Sequence, residues 1–172
     1  MNSFNCKICG ACCKGDGSVF LYPDDIKKIS GNFNLSIQET VDKYTEYIML
    51  EIIENTGSYM YMPYLVLKKS GTKCVFLNSN LCEINKFKPF QCAHTPFVAE
   101  FFADDEWRSA IKNSCQAVAA MKESDYASYG EIGEKSEKAE KEYYYLLREN
   151  GFNLEKILSV SLKAPKMISN DE

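Results

Sequence analysis

The chain has 172 residues, 45% of them apolar, and a formal charge of −4. That is long and apolar enough for one domain with a real core, and it excludes a wholly disordered chain. The mild charge gives no electrostatic footprint for nucleic acid, and no apolar run approaches the roughly 18 residues of a membrane-spanning helix.

In chain order, Met1-Asn2-Ser3-Phe4 shows no basic region followed by an apolar one, so no secretory signal and a cytoplasmic location are expected. Residues 1–18 read as a loop, with Gly10, Gly15 and Gly17 free to take unusual φ. A short strand is expected over Val19 to Tyr22. Pro23-Asp24-Asp25 then opens a helical turn that Gly31 stops. Ser36 and Glu39 form a Ser-x-x-Glu capping box, and apolar spacings of three and four predict a helix over 37–54, ended by Asn55 and Gly57. Tyr59 to Lys69 reads as a strand that Pro63 confines to an edge or a bulge. It is expected to pair, through the Ser70-Gly71 turn, with Cys74 to Leu77. Residues 78–96 read as loop, Phe97 to Phe102 as a strand, and Asp104 to Glu106 as a turn. Helix resumes at Trp107, weakens near Ser114 and Cys115, and runs strongly over Glu131 to Glu149 before Asn150-Gly151. A short helix follows over 153–160, and Pro165 leads into a disordered tail.

The cysteines concentrate the chemistry. Cys6, Cys9, Cys12 and Cys13 fall within eight residues; Cys74, Cys82, Cys92 and Cys115 are spread. Small core hydrophobes do not cluster in this way, and a reducing compartment disfavours a four-disulfide reading. Two residues between cysteines let one turn aim two sulfurs at a point about 2.3 Å away. Cys6, Cys9 and Cys12 repeat that spacing, which resembles the first three ligands of a bacterial 4Fe–4S site. Cys12 and Cys13 have Cα atoms about 3.8 Å apart, and neighbouring side chains point apart. They therefore serve one mononuclear site poorly and suit two centres, within roughly 10 Å of each other, or a multinuclear cluster. Eight sulfurs match two four-thiolate centres, either iron–sulfur or zinc. Cys115 stands further off and has a second reading as a core residue. His94, the lone histidine, reads as a ligand or as a hydrogen-bond donor to a sulfur. Tyr143, Tyr144 and Tyr145 cannot share one helix face, so packing explains one or two of them.

Together these residues resemble a known family. Cys6-Lys7-Ile8-Cys9-Gly10-Ala11-Cys12-Cys13 is similar to the signature of the zinc- or iron-chelating CxxCxxCC proteins, the YkgJ family. Cys74-Val75-Phe76-Leu77, Cys82-Glu83-Ile84, Pro89-Phe90-Gln91-Cys92 and Pro96-Phe97 resemble its later segments in order. Lys88, Ala93 and Thr95 depart from it, standing where the family often has arginine, arginine and an aromatic residue. The resemblance implies metal binding. Through the distantly related flagellin lysine methylases, it also allows methyl transfer.

The sequence thus predicts an α+β fold, with a small irregular hairpin-and-loop metal-binding core, several helices and a helical C-terminal part. It reads as one cysteine-rich domain over 1–172, with a core over 1–116, a helical extension over 117–164 and a tail over 165–172. The expected metal ligands are Cys6, Cys9, Cys12, Cys13, Cys74, Cys82, Cys92 and Cys115, holding one or two iron–sulfur clusters for electron transfer or redox sensing. The alternatives are a zinc-binding structural domain and an iron–sulfur-dependent methyltransferase. The expected partners are metal ions or a cluster and a protein redox partner, with no nucleic acid and no membrane.

Overall fold

The computed structural model describes residues 6–15, 17–53 and 57–169. The fold is α+β, and the chain divides into two compact units: Met1–Gly17 with Ser70–Glu142, and Ser18–Lys69 with Tyr143–Glu172.

The second unit is built on a four-stranded sheet of order β1-β3-β2-β8, in which β1 is Phe20–Leu21, β2 is Thr45–Ile53, β3 is Tyr59–Leu67 and β8 is Lys166–Ile168. Helix α1 (Pro23–Phe33) starts on Pro23, and the buried Asp25 carboxylate accepts from the Tyr22 N–H at 3.1 Å. The helix runs through Gly31 and ends at Asn34, whose φ of 53° breaks the ladder; the expected stop at Gly31 is displaced by three residues. Helix α2 (Ile37–Tyr44) carries the predicted capping box. Ser36 Oγ accepts from Glu39 N at 3.1 Å, and Glu39 Oε2 accepts from Ser36 N at 2.8 Å.

The helix expected over 37–54 is overturned in its second half. From Thr45 the chain is strand, paired in continuous register with β3 from Thr45↔Leu67 to Ile53↔Tyr59. Thr45, Ile48, Ile52 and Ile53 are β-branched and favour a pleated surface, while their spacing also fits a helix, so the period alone misreads them. The predicted end at Asn55 lies outside the described residues. Pro63 sits inside β3 without a bulge. No β1 residue pairs opposite it, and its carbonyl accepts from Tyr143 Oη at 2.7 Å. The missing N–H therefore costs no ladder bond. The tail expected after Pro165 instead enters the sheet, with β8 pairing parallel to Ile48, Met49 and Leu50. Helix α8 (Leu154–Leu158) buries Leu154 and Leu158 in this unit.

The first unit carries two small hairpins. β4 (Lys69–Ser70) pairs with β5 (Lys73–Cys74), and β6 (Leu77–Asn78) with β7 (Leu81–Cys82). Residues 74–77 therefore do not pair with β3 as expected, because the turns at Gly71 and at Ser79-Asn80, all with positive φ, fold each short strand on its sequence neighbour. The stretch expected as loop over 78–96 holds β6 and β7, a 3₁₀ turn over Asn85–Phe87 and helix α3 (Phe90–His94). The strand expected over 97–102 is a helix, α4 (Ala99–Ala103). A short apolar run does not distinguish the two states. Phe97 lies in the bend before α4 and Phe101 within the helix, their rings edge to face with centroids 5.0 Å apart. They form a core with Val118, Tyr126 and Tyr129.

Asp104 begins helix α5 (Asp105–Ser114) as a cap, its Oδ1 accepting from Glu106 N at 2.8 Å and Trp107 N at 3.0 Å. Helix α6 (Gln116–Ala119) follows Cys115, at the break expected there. Helix α7 (Gly130–Glu149) is as predicted, and the division between the units falls within it.

Candidate metal centre

The N-terminal cysteine loop is shaped by its backbone. Ile8 has a φ of 52° and Gly10 a φ of 72°. For glycine this is free; for a β-branched residue it is strained. The turn at Ile8 lets its N–H donate to Cys6 Sγ at 3.4 Å. Ala11–Cys13 then forms a 3₁₀ turn, with Cys13 N donating to Gly10 O at 3.1 Å. Gly10 lies close against the β6–β7 turn; a Cβ there would stand 3.2 Å from both Asn80 O and Leu77 Cδ1. The other end of the loop is tied to the β4–β5 hairpin by Gly15 N donating to Thr72 O at 3.0 Å and by a bridge between Lys14 and Lys73.

These contacts gather sulfur from both sequence groups. Cys13 feels the charges of Cys12, Cys82 and Cys74, and Cys92 feels those of Cys12, Cys74 and Cys82. Cys12 is lowered to about 6, first because the Cys13 thiol donates to it and then because the Lys88 ammonium stands nearby. Cys13 is pushed well above the ordinary thiol range by that same donated proton, by burial and by the neighbouring sulfurs. Cys92, on α3, is raised to about 12 by burial first and by its sulfur neighbours second. None of the eight cysteines is in a disulfide. Among the described residues, no three His, Cys, Asp or Glu side chains are already spaced around one point to hold a metal ion.

The other expected ligands lie as follows. Cys6 and Cys9 are exposed on the loop. Cys115 packs with Phe102, Ile111 and Met121 against the aromatic core. The His94 ring stacks on Phe90 with centroids 3.9 Å apart, and its Nδ1 lies 2.8 Å from Phe90 O. A carbonyl only accepts, so Nδ1 is the donor of this hydrogen bond. Residues two apart on a helix do not share a face, so Cys92 and His94 point in different directions from α3. Lys88, beside Cys12 and Cys92, enters the site only through the fold. Its one sequence signal is its place before the Pro89-x-x-Cys92 segment.

A cavity of about 230 Å³ in the second unit, lined by Tyr47, Lys68, Lys163 and Lys166 among others, holds none of the cysteines. No helix of the described residues is long and apolar enough to cross a membrane.

As a donor set, clustered free thiols, one of them ionised at neutral pH and one accepting a backbone N–H, fit a thiophilic metal or cluster. No solved structure matches the chain. Over residues 5–116 the sequence matches the family CxxCxxCC, described as a "Putative zinc- or iron-chelating domain". The matched span opens at the cysteine loop and closes just after Cys115, and by it the chain belongs to the CxxCxxCC metal-chelating family.

Proposed function

We propose that this chain holds iron as one or two 4Fe–4S clusters and uses them for electron transfer or redox sensing. Cys12, Cys13, Cys74, Cys82 and Cys92 would be the inner ligands, Cys6 and Cys9 would close over the centre from the loop, and Cys115 would be the eighth. The observation that supports this is that Cys13 and Cys92 each lie within electrostatic reach of Cys12, Cys74 and Cys82, sulfurs that come from the loop, both hairpins and α3. A bound cluster would supply one-electron chemistry, and the chain supplies thiolates, backbone N–H donors and the nearby Lys88 charge. Cys12 and Cys13, expected to point apart, instead meet through the hydrogen bond of the Cys13 thiol to Cys12, so the pair can face one centre as well as two.

Zinc is the second reading, because the family description names it as well. Anaerobic purification followed by iron, zinc and acid-labile sulfide analysis separates the two. The iron–sulfur reading expects sulfide matching iron and a visible absorption that dithionite bleaches. A colourless protein with zinc and no sulfide would replace it. With two centres, Cys12→Ser and Cys13→Ser each remove about half of the metal; complete loss in both, with the fold intact by circular dichroism, would mean a single centre.

A further inference from the structure

The segments that carry the seven clustered and loop cysteines have a charge of their own. In a chain of formal charge −4, residues 6–17 and 70–95 hold five lysines against only Asp16 and Glu83. Lys7, Lys14, Lys73 and Lys86 are exposed. Lys14 and Lys73 face each other across an antiparallel bridge, a like-charge pairing that is unfavourable unless an anion offsets it. Among the described residues neither forms an ion pair. Lys73 and Cys74 are neighbours on a strand and point to opposite faces. Interleaved with these lysines are exposed aliphatic side chains: Ile8 is 47% exposed, Val75 37% and Leu81 60%. Each lies next to, or two residues from, a cysteine. Nothing in a metal-holding loop requires exposed aliphatics there, whereas a docking surface uses an apolar centre with a charged rim.

We infer that the cysteine loop and its two hairpins form the docking surface for a protein partner that presents carboxylates around an apolar patch. The partner brings its own redox group up to the metal-bearing loop. The lysines steer the encounter, and Ile8, Val75 and Leu81 exclude water at the contact. This rests on the electron-transfer reading, but its test does not depend on which metal is bound.

The metal-loaded full chain is titrated with a fluorescein-labelled, glutamate-rich peptide carrying a pair of central leucines. A lysine-rich counterpart and an oligothymidine strand serve as comparisons. Binding of the acidic peptide is expected to weaken with salt. Combined Lys14→Glu, Lys73→Glu and Lys86→Glu should weaken it about tenfold with unchanged metal content, and Leu81→Ser should weaken it with unchanged salt dependence. Equal binding of the lysine peptide, tighter binding of oligothymidine, or indifference to the lysine reversals would overturn the proposal. So would loss of metal in the reversed variant, which would assign the lysines to the centre itself. Failure of the electron-transfer reading appears separately, as a protein without bleachable absorption.

Discussion

At the scale of single residues, the sharpest features are a strained backbone and an unequal thiol pair. Ile8 holds a left-handed conformation that costs an L-residue about 1–2 kcal/mol. Its reward in the structure is the N–H bond to Cys6 Sγ. If metal binding supports that turn, Ile8→Gly removes the strain and raises metal affinity by about fivefold in a chelator competition, roughly 1 kcal/mol. Weaker binding would assign Ile8 a side-chain role at the centre. The second feature makes Cys12 the reactive thiol of the metal-free chain. With its acidity at about 6, it is mostly thiolate at pH 7, where an ordinary thiol near 8.5 is only a few per cent ionised. Iodoacetamide followed by peptide mapping should label Cys12 first, with its rate rising through pH 6 and levelling by pH 7. Cys92, raised to about 12, should remain slow throughout. A Cys12 rate that rises only above pH 8 would deny the Cys13 hydrogen bond.

At the scale of elements, the same sequence signals were clear in some places and ambiguous in others. The capping box at Ser36, the α7 helix and the short β1 strand were legible because each rests on a local rule: a side-chain cap, a long periodic stretch, a β-branched and aromatic pair before proline. The second half of 37–54 and the run 97–102 were not. Ile48, Ile52 and Ile53 satisfy helical spacing, yet they pair with β3, and Ile48 with β8 as well, while Phe97 and Phe101 satisfy a strand composition but pack edge to face across the start of α4. Tertiary pairing decided both, and no local rule contains it. Pro63 shows the same dependence. Its place within β3 is tolerated because no β1 residue pairs opposite it to need its N–H, and its carbonyl is satisfied by Tyr143, eighty residues on. Burial pushes the Tyr143 phenol above its ordinary range, so it stays a donor at any working pH. Tyr143→Phe leaves that carbonyl unpaired in a buried site and should cost about 1–3 kcal/mol, read as a lower urea midpoint with unchanged slope. An unchanged midpoint would mean that water replaces the hydroxyl.

At the scale of the whole molecule, the family was legible in the cysteine pattern, while the packing that brings the segments together was not. Cysteine spacing named the loop, and the order of the later cysteines carried the family. It could not say which sulfurs meet, because that depends on Gly10 lying against the β6–β7 turn and on Lys14 bridging to Lys73. Nor could it place Cys115, whose neighbours are aromatic core residues. The central claim is that Cys12, Cys13, Cys74, Cys82 and Cys92 act as one donor group. Site-mapped alkylation of the anaerobically purified protein, before and after a strong chelator, tests it directly. The account predicts that these five thiols are protected together and released together as metal leaves. Free labelling of them in the metal-loaded chain, or recovery of them as disulfides, would contradict it.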